Sequence, residues 1–189
     1  LPRVPGCTSV YLYRYLTASK FVGGVFSVVF LSDPARLGSV MADVSVKGLP
    51  AAIFMAISRT VIRAIALTEN SASMCMQRSN NILCQESVND MFVTVFDGIL
   101  NIHTVTVTYS NAGHNPPILM KKDGSISKVP PTGDMILGAI NDACYHEKEL
   151  KMSPGDHLFL YTDGGTEAMN TKHDLYSDQR PTANCRPLA

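Results

Sequence analysis

The sequence predicts an α+β fold in which helices cover antiparallel sheets. Three observations carry that expectation. Two apolar runs punctuated by glycine, Phe26 to Leu31 and Gly38 to Ser45, read as strands. Two helical patterns follow between Leu49 and Glu86, and from Met91 to Tyr161 apolar and polar residues alternate in short runs separated by turn residues. A parallel doubly wound sheet would interleave helices and strands along the whole chain, and this order does not.

Each element has a local reason. Ser9 to Leu16 reads as an opening strand. Asp33-Pro34 and Gly38 punctuate the connection between the next two, which is expected to be a hairpin loop over 32–38. Gly48 closes a turn, and Pro50 then sits where a first helical turn tolerates it. The helix that follows is apolar nearly all round, with Arg59 and Arg63 one turn apart on a polar edge. A weaker helical pattern covers Ser73 to Glu86, where Met74, Met76, Ile82 and Leu83 are expected to pack and Asn80-Asn81 weaken the pattern. Two antiparallel strands are expected from Met91 to Leu100 and from Thr104 to Gly113, with Val105, Val107 and Tyr109 sharing one face. Asp123-Gly124 marks a further hairpin, and two last strands flank Ser153 to Asp156. Beyond Asn170 periodicity fades, so residues 171–189 are expected to form a loose tail after a domain of 1–170.

Composition narrows the function. With 46% apolar and 17% charged residues the 189-residue chain predicts a well-buried globular domain. The formal charge is zero and no block of like charges occurs, which argues against nucleic acid as a partner. Five scattered cysteines without a CxxC pair suggest reduced thiols in a cytoplasmic protein. The most apolar segment, Leu49 to Ile57, is expected to end at Ser58 and Arg59, too short to span a bilayer, and no signal peptide is read.

Two carboxylates sit near glycine at strand ends, Asp43 in "ADVSVKG" and Asp163 in "YTDGG". Such a carboxylate is well placed to hold a hard divalent cation, although a lone turn aspartate also caps backbone amides. The segments "VGGVFSVVFL", "ADVSVKGLPAAIFMA", "FVTVFDGIL", "YSNAGHNPPIL" and "MSPGDHLFLYTDGGTEAMN" occur in an order and spacing that resembles the SpoIIE/RsbU-like branch of the PPM metal-dependent protein phosphatases. The resemblance covers Leu1 to Asn170. It implies a sandwich of two antiparallel sheets flanked by helices, with a two-metal Mn or Mg centre that hydrolyses phosphoserine or phosphothreonine on a partner protein. It further implies that Asp43 bridges the metals, that the Val44 backbone carbonyl is a ligand, and that Asp163 holds one metal. The implied partner is a phosphorylated regulatory protein such as an anti-sigma-factor antagonist, and a dimer is allowed.

The sequence departs from the family pattern in ways that bear on activity. Val25 stands where the family has a metal-ligand aspartate after Gly23-Gly24, Val28 stands where a second aspartate is usual, and Val46 replaces a turn glycine. After Asn170 the pattern diverges before the family's final aspartate motif, as expected of a domain truncated at its C-terminus. Two functions of different class therefore stay open: a phosphatase, and a pseudophosphatase or decayed fragment that binds protein without turnover. Of the remaining polar residues, His114 is expected near the catalytic end and reads either as a turn-fixing histidine or as a site residue. Arg59 and Arg63 read as a solvated helix edge or a phosphate contact, and Lys47 as an aid to anion positioning.

Overall fold

A computed structural model describes residues 10, 24–45, 48–86 and 91–162. The expected strand over Ser9 to Leu16 and the expected loose tail lie outside the described residues. The remainder forms three layers: two helices, a five-stranded antiparallel sheet in the order β1-β2-β3-β4-β7, and a three-stranded antiparallel sheet in the order β6-β5-β8. The expected α+β sandwich flanked by helices is the observed architecture.

Strands β1 (Val25–Asp33) and β2 (Arg36–Val44) are longer than their apolar runs, because the loop between them is tight. Asp33 turns the chain by accepting the Ala35 N–H at 2.7 Å through its Oδ1, and it pairs with Arg36 at 3.4 Å. Gly38 in the middle of β2 has a packing reason: its cross-strand partner Phe30 lays its ring so close that a Cβ would come within 2.4 Å of it. Along both strands the even-numbered residues Phe26, Val28, Val40, Ala42 and Val44 are buried towards the helices. Odd-numbered residues, Asp43 among them, look to the other face.

Helix α1 (Leu49–Ala66) starts at Gly48, whose φ of 93° suits glycine, and carries Pro50 in its first turn. It runs on past Ser58 and Arg59 where the sequence reading ended its apolar segment, because Ser58 is itself buried on the same stripe as Ala51, Phe54, Ile62 and Ile65. By length and composition alone α1 is enough to cross a membrane, and its buried stripe packs in the core with the sheet and the second helix. Helix α2 (Ala72–Glu86) has no acidic residue in its first turn. Glu147 supplies one from a distant loop, accepting the Ser73 N–H at 2.9 Å and the Ser71 hydroxyl at 2.7 Å. Met76 and Leu83 pack as expected, whereas Met74 and Ile82 are exposed, since they fall one residue off the buried stripe.

Strands β3 (Val93–Asn101) and β4 (Thr106–Ala112) pair in the expected antiparallel hairpin. Val105 is not part of it: with φ of 55° it completes the turn, so only Val107 and Tyr109 reach the face on which three valine-family and aromatic positions were expected. The second sheet comprises β5 (Ile118–Met120), β6 (Ile126–Lys128) and β8 (His157–Phe159). Its turn at Asp123-Gly124 forms as read, with Gly124 at φ 85°. Strand β7 (Lys148–Lys151) adds to β4 instead, so the chain changes sheet at Ser153 to Asp156. Phe96, Val107 and Tyr109 of the first sheet meet Leu119, Val129 and Leu158 between the sheets. A larger core lies between the first sheet and the helices.

Candidate functional site

Asp43 lies one residue before the end of β2, on the face that looks between the sheets. Its neighbour on β1 is Val25. The Val44 N–H donates to the Gly24 carbonyl at 3.3 Å, so the 24/44 pair carries the ladder bonds and the 25/43 pair does not. Side chains of such a non-bonded pair stand closest, with Cα atoms about 4.5 Å apart. Valine thus stands where a second carboxylate would lie beside that of Asp43. Val28 is on the opposite face, buried towards the helices, and an aspartate there would point away from Asp43.

The Val44 carbonyl faces β1 over Gly24. A Cβ on Gly24 would lie 3.1 Å from that oxygen and 3.0 Å from the Val44 Cβ, so glycine keeps the space against it open. A hard cation takes carboxylate and carbonyl oxygens, the donor types that Asp43 and the Val44 carbonyl offer. The described residues do not extend to a pair of ions: among them no group of three or more His, Cys, Asp or Glu side chains converges as a metal set. Asp163, Val46 and Lys47 lie outside the described residues.

Polar residues of β3 and β4 close this strand end from the other side. Thr94, paired with Asp43, donates its hydroxyl to the Asp43 carbonyl at 3.3 Å and stands 3.1 Å from Nδ1 of His114. His114 is buried, at the turn after β4. Asn111 fixes that turn twice, accepting the His114 N–H at 2.8 Å and donating to the His114 carbonyl at 3.0 Å. The His114 backbone is thus held in the turn by Asn111, while its ring stands beside the Asp43 strand end through Thr94. Thr94 and Asn111 were not singled out in the sequence. An Asn two residues before Gly113, whose φ is 71°, is the signal that would have found the turn.

Arg59 and Arg63 are not brought to this end. They are exposed on the later half of α1, at least ten residues or about 15 Å of helix from its start. A second polar cluster lies under α2. Asp97 of β3 is buried on the helix-facing side, where burial pushes its carboxyl up to about 7 against the Cys75 thiol that bonds to it, with Glu147 adding to the rise. Burial and then the Asp97 charge push the Cys75 thiol up in turn, which makes it a packed thiol and not a reactive one. Asp134, hydrogen-bonded to Ser110 next to Asp97, pairs with Nδ1 of His146 at 2.7 Å. Its burial opposes ionisation, yet bonds from Thr132 and His146 hold its carboxyl below the usual range.

The family described as Stage II sporulation protein E (SpoIIE) matches residues 33–186. Protein IcfG of Synechocystis is 27% identical over 190 residues, covering 86% of this chain and 30% of IcfG. The phosphoserine phosphatase RsbU of Bacillus subtilis is 29% identical over 139 residues, covering 73% of this chain and 41% of RsbU. The chain thus spans less than half the length of either relative. Among solved structures, the RsbU and RsbW domains of a Mycobacterium tuberculosis protein superpose with a TM-score of 0.71 at 27% identity, covering 78% of this chain and 41% of that one. The PP2C phosphatase domain of SpoIIE from Bacillus subtilis, with a fragment of its regulatory domain, gives 0.72 at 15% identity, covering 88% of this chain and 47% of that one, a likeness of fold. A family match over most of the sequence, on a sandwich of two antiparallel sheets covered by helices, leads to one conclusion: the chain belongs to the SpoIIE family.

Proposed function

We propose that this domain is a metal-dependent protein serine/threonine phosphatase. The observation that carries the reading is the placement of Asp43, a half-buried carboxylate at a strand end beside a glycine-lined carbonyl, within a chain of this family. Asp43, the Val44 carbonyl and Asp163 would hold a divalent cation, Mn2+ or Mg2+. Such an ion lowers the pKa of a coordinated water and neutralises phosphoryl oxygens. The chain's own contribution is to fix those oxygens before substrate arrives: β2 delivers Asp43 and Val44 from a five-stranded sheet, and β3 bonds to the Asp43 carbonyl from one side.

The substrate proposed is a phosphoserine or phosphothreonine on a regulatory protein, such as an anti-sigma-factor antagonist. The likeness to RsbU, a phosphoserine phosphatase, supports that choice. The test is release of phosphate from a phosphoserine protein with and without Mn2+, by this chain and by Asp43→Asn. Hydrolysis that needs Mn2+ and is lost in Asp43→Asn is the expected result. A cooperatively folded chain that releases no phosphate at any Mn2+ concentration would overturn it and leave a binding role.

A further inference from the structure

We propose that His114 and Thr94 are positioning residues for Asp43, a hydrogen-bonded relay that fixes the end of β2 from β3 and the turn after β4. This rests on the reading that Asp43 holds a cation. A threonine hydroxyl has a single proton, and Thr94 places it on the Asp43 carbonyl at 3.3 Å. The 3.1 Å bond to His114 then has Thr94 Oγ1 as acceptor and Nδ1–H of the imidazole as donor. Asn111 holds the histidine backbone by two bonds, so the ring is aimed by its own turn and does not depend on the relay for its place.

A purely local turn clasp would end at Asn111 and His114. Here the chain of bonds continues across two strands and stops at the residue proposed as the ligand. The need for it follows from position. Asp43 is the last residue but one of β2, where ladders fray. From β1 its facing neighbour is Val25, whose side chain has no polar atom. On the β3 side the Asp43 carbonyl takes the Thr94 hydroxyl as an additional donor, which fixes the backbone from which the carboxylate projects. Outer-shell groups that hydrogen-bond a metal ligand are worth about tenfold or more in metal affinity, and a bond that fixes the ligand residue's backbone acts to the same end.

The experiment joins a metal-free and a metal-dependent readout. Long-range 1H–15N spectra of the unmodified chain should show His114 protonated at Nδ1, and an Nδ1 without a proton would overturn the relay. Calorimetric titration with Mn2+ should show Thr94→Val and His114→Phe binding about tenfold more weakly than the unmodified chain. Thr94→Ser, which keeps the hydroxyl, should restore the affinity. A folded Thr94→Val chain with unchanged Mn2+ affinity would overturn the proposal. If the unmodified chain binds no Mn2+, the phosphatase reading fails separately, and the Asp43 carboxyl 13C resonance decides the relay: a shift in Thr94→Val upholds it, and an unmoved resonance overturns it.

Discussion

Val25 faces Asp43 across the β1–β2 pair, and that place makes the consequence of a carboxylate there calculable. Val25→Asp would set two carboxylates side by side on a non-bonded pair. Without divalent ions they repel, so the melting temperature in EDTA should fall by several degrees. With Mn2+ the second carboxylate adds a charged ligand, and affinity should rise at least about tenfold. Melting curves with and without Mn2+ check both signs, and a variant equally stable in EDTA and Mn2+ would place position 25 outside the site. Gly24 is the second diagnostic residue. In Gly24→Ala the new methyl would meet Val44 backbone oxygen and nitrogen at 3.1 and 3.3 Å, atoms that cannot swing aside as a side-chain tip would. A loss of about 1–3 kcal/mol in urea unfolding is expected, together with weakened Mn2+ binding.

Among the elements, α2 shows how far the sequence could be read. Its existence was legible from apolar spacing, but Asn80-Asn81 seemed to weaken it, because asparagine is a poor helix former. Here the two residues act between elements. Asn80 accepts the Gly138 N–H at 2.9 Å and donates to the Ile140 carbonyl at 2.8 Å, and Asn81 bonds both the N–H and the side chain of Asp142. Such bonds span about sixty residues of sequence, so no local pattern announces them. Asn80→Ala would leave two backbone groups of the covering loop without their partner, at about 1–3 kcal/mol each. A melting temperature lower by about 5 °C or more is the expected outcome, while Asn81→Ala, on the exposed side, should cost under half of that. The strand ends were legible for a similar reason in reverse: Asp43 was found because a carboxylate and a turn glycine lie within a few residues at the end of an apolar run, whereas Thr94 and Asn111 enter the site only through strand pairing.

At the scale of the whole molecule, the layers put one ionisable group where its charge bears on global stability. The sandwich and its helical cover were legible from the order of patterns, but the alternation Val93, Val95, Asp97 also states that a carboxyl faces the helices, and that signal went unread. Asp97 sits in the layer between β3 and α2, against the Cys75 thiol and near Ser110, with Glu147, Glu69 and Asp134 among the acidic groups on that side. Its folded value of about 7 exceeds the unfolded value near 3.9. The folded state therefore binds the proton more tightly, and stability is greatest below the unfolded value, declines as pH rises from about 4 to about 7, and is flat above. Asp97→Asn removes the charge while keeping a polar side chain of the same size. Urea unfolding should find this variant more stable than the parent at pH 8, by up to about 4 kcal/mol, and no more stable at pH 4, where the parent carboxyl is protonated. A variant less stable than the parent at both pH values would mean that the ionised carboxylate is held favourably by its surroundings, and that the buried cluster under α2 supports the fold through its charge.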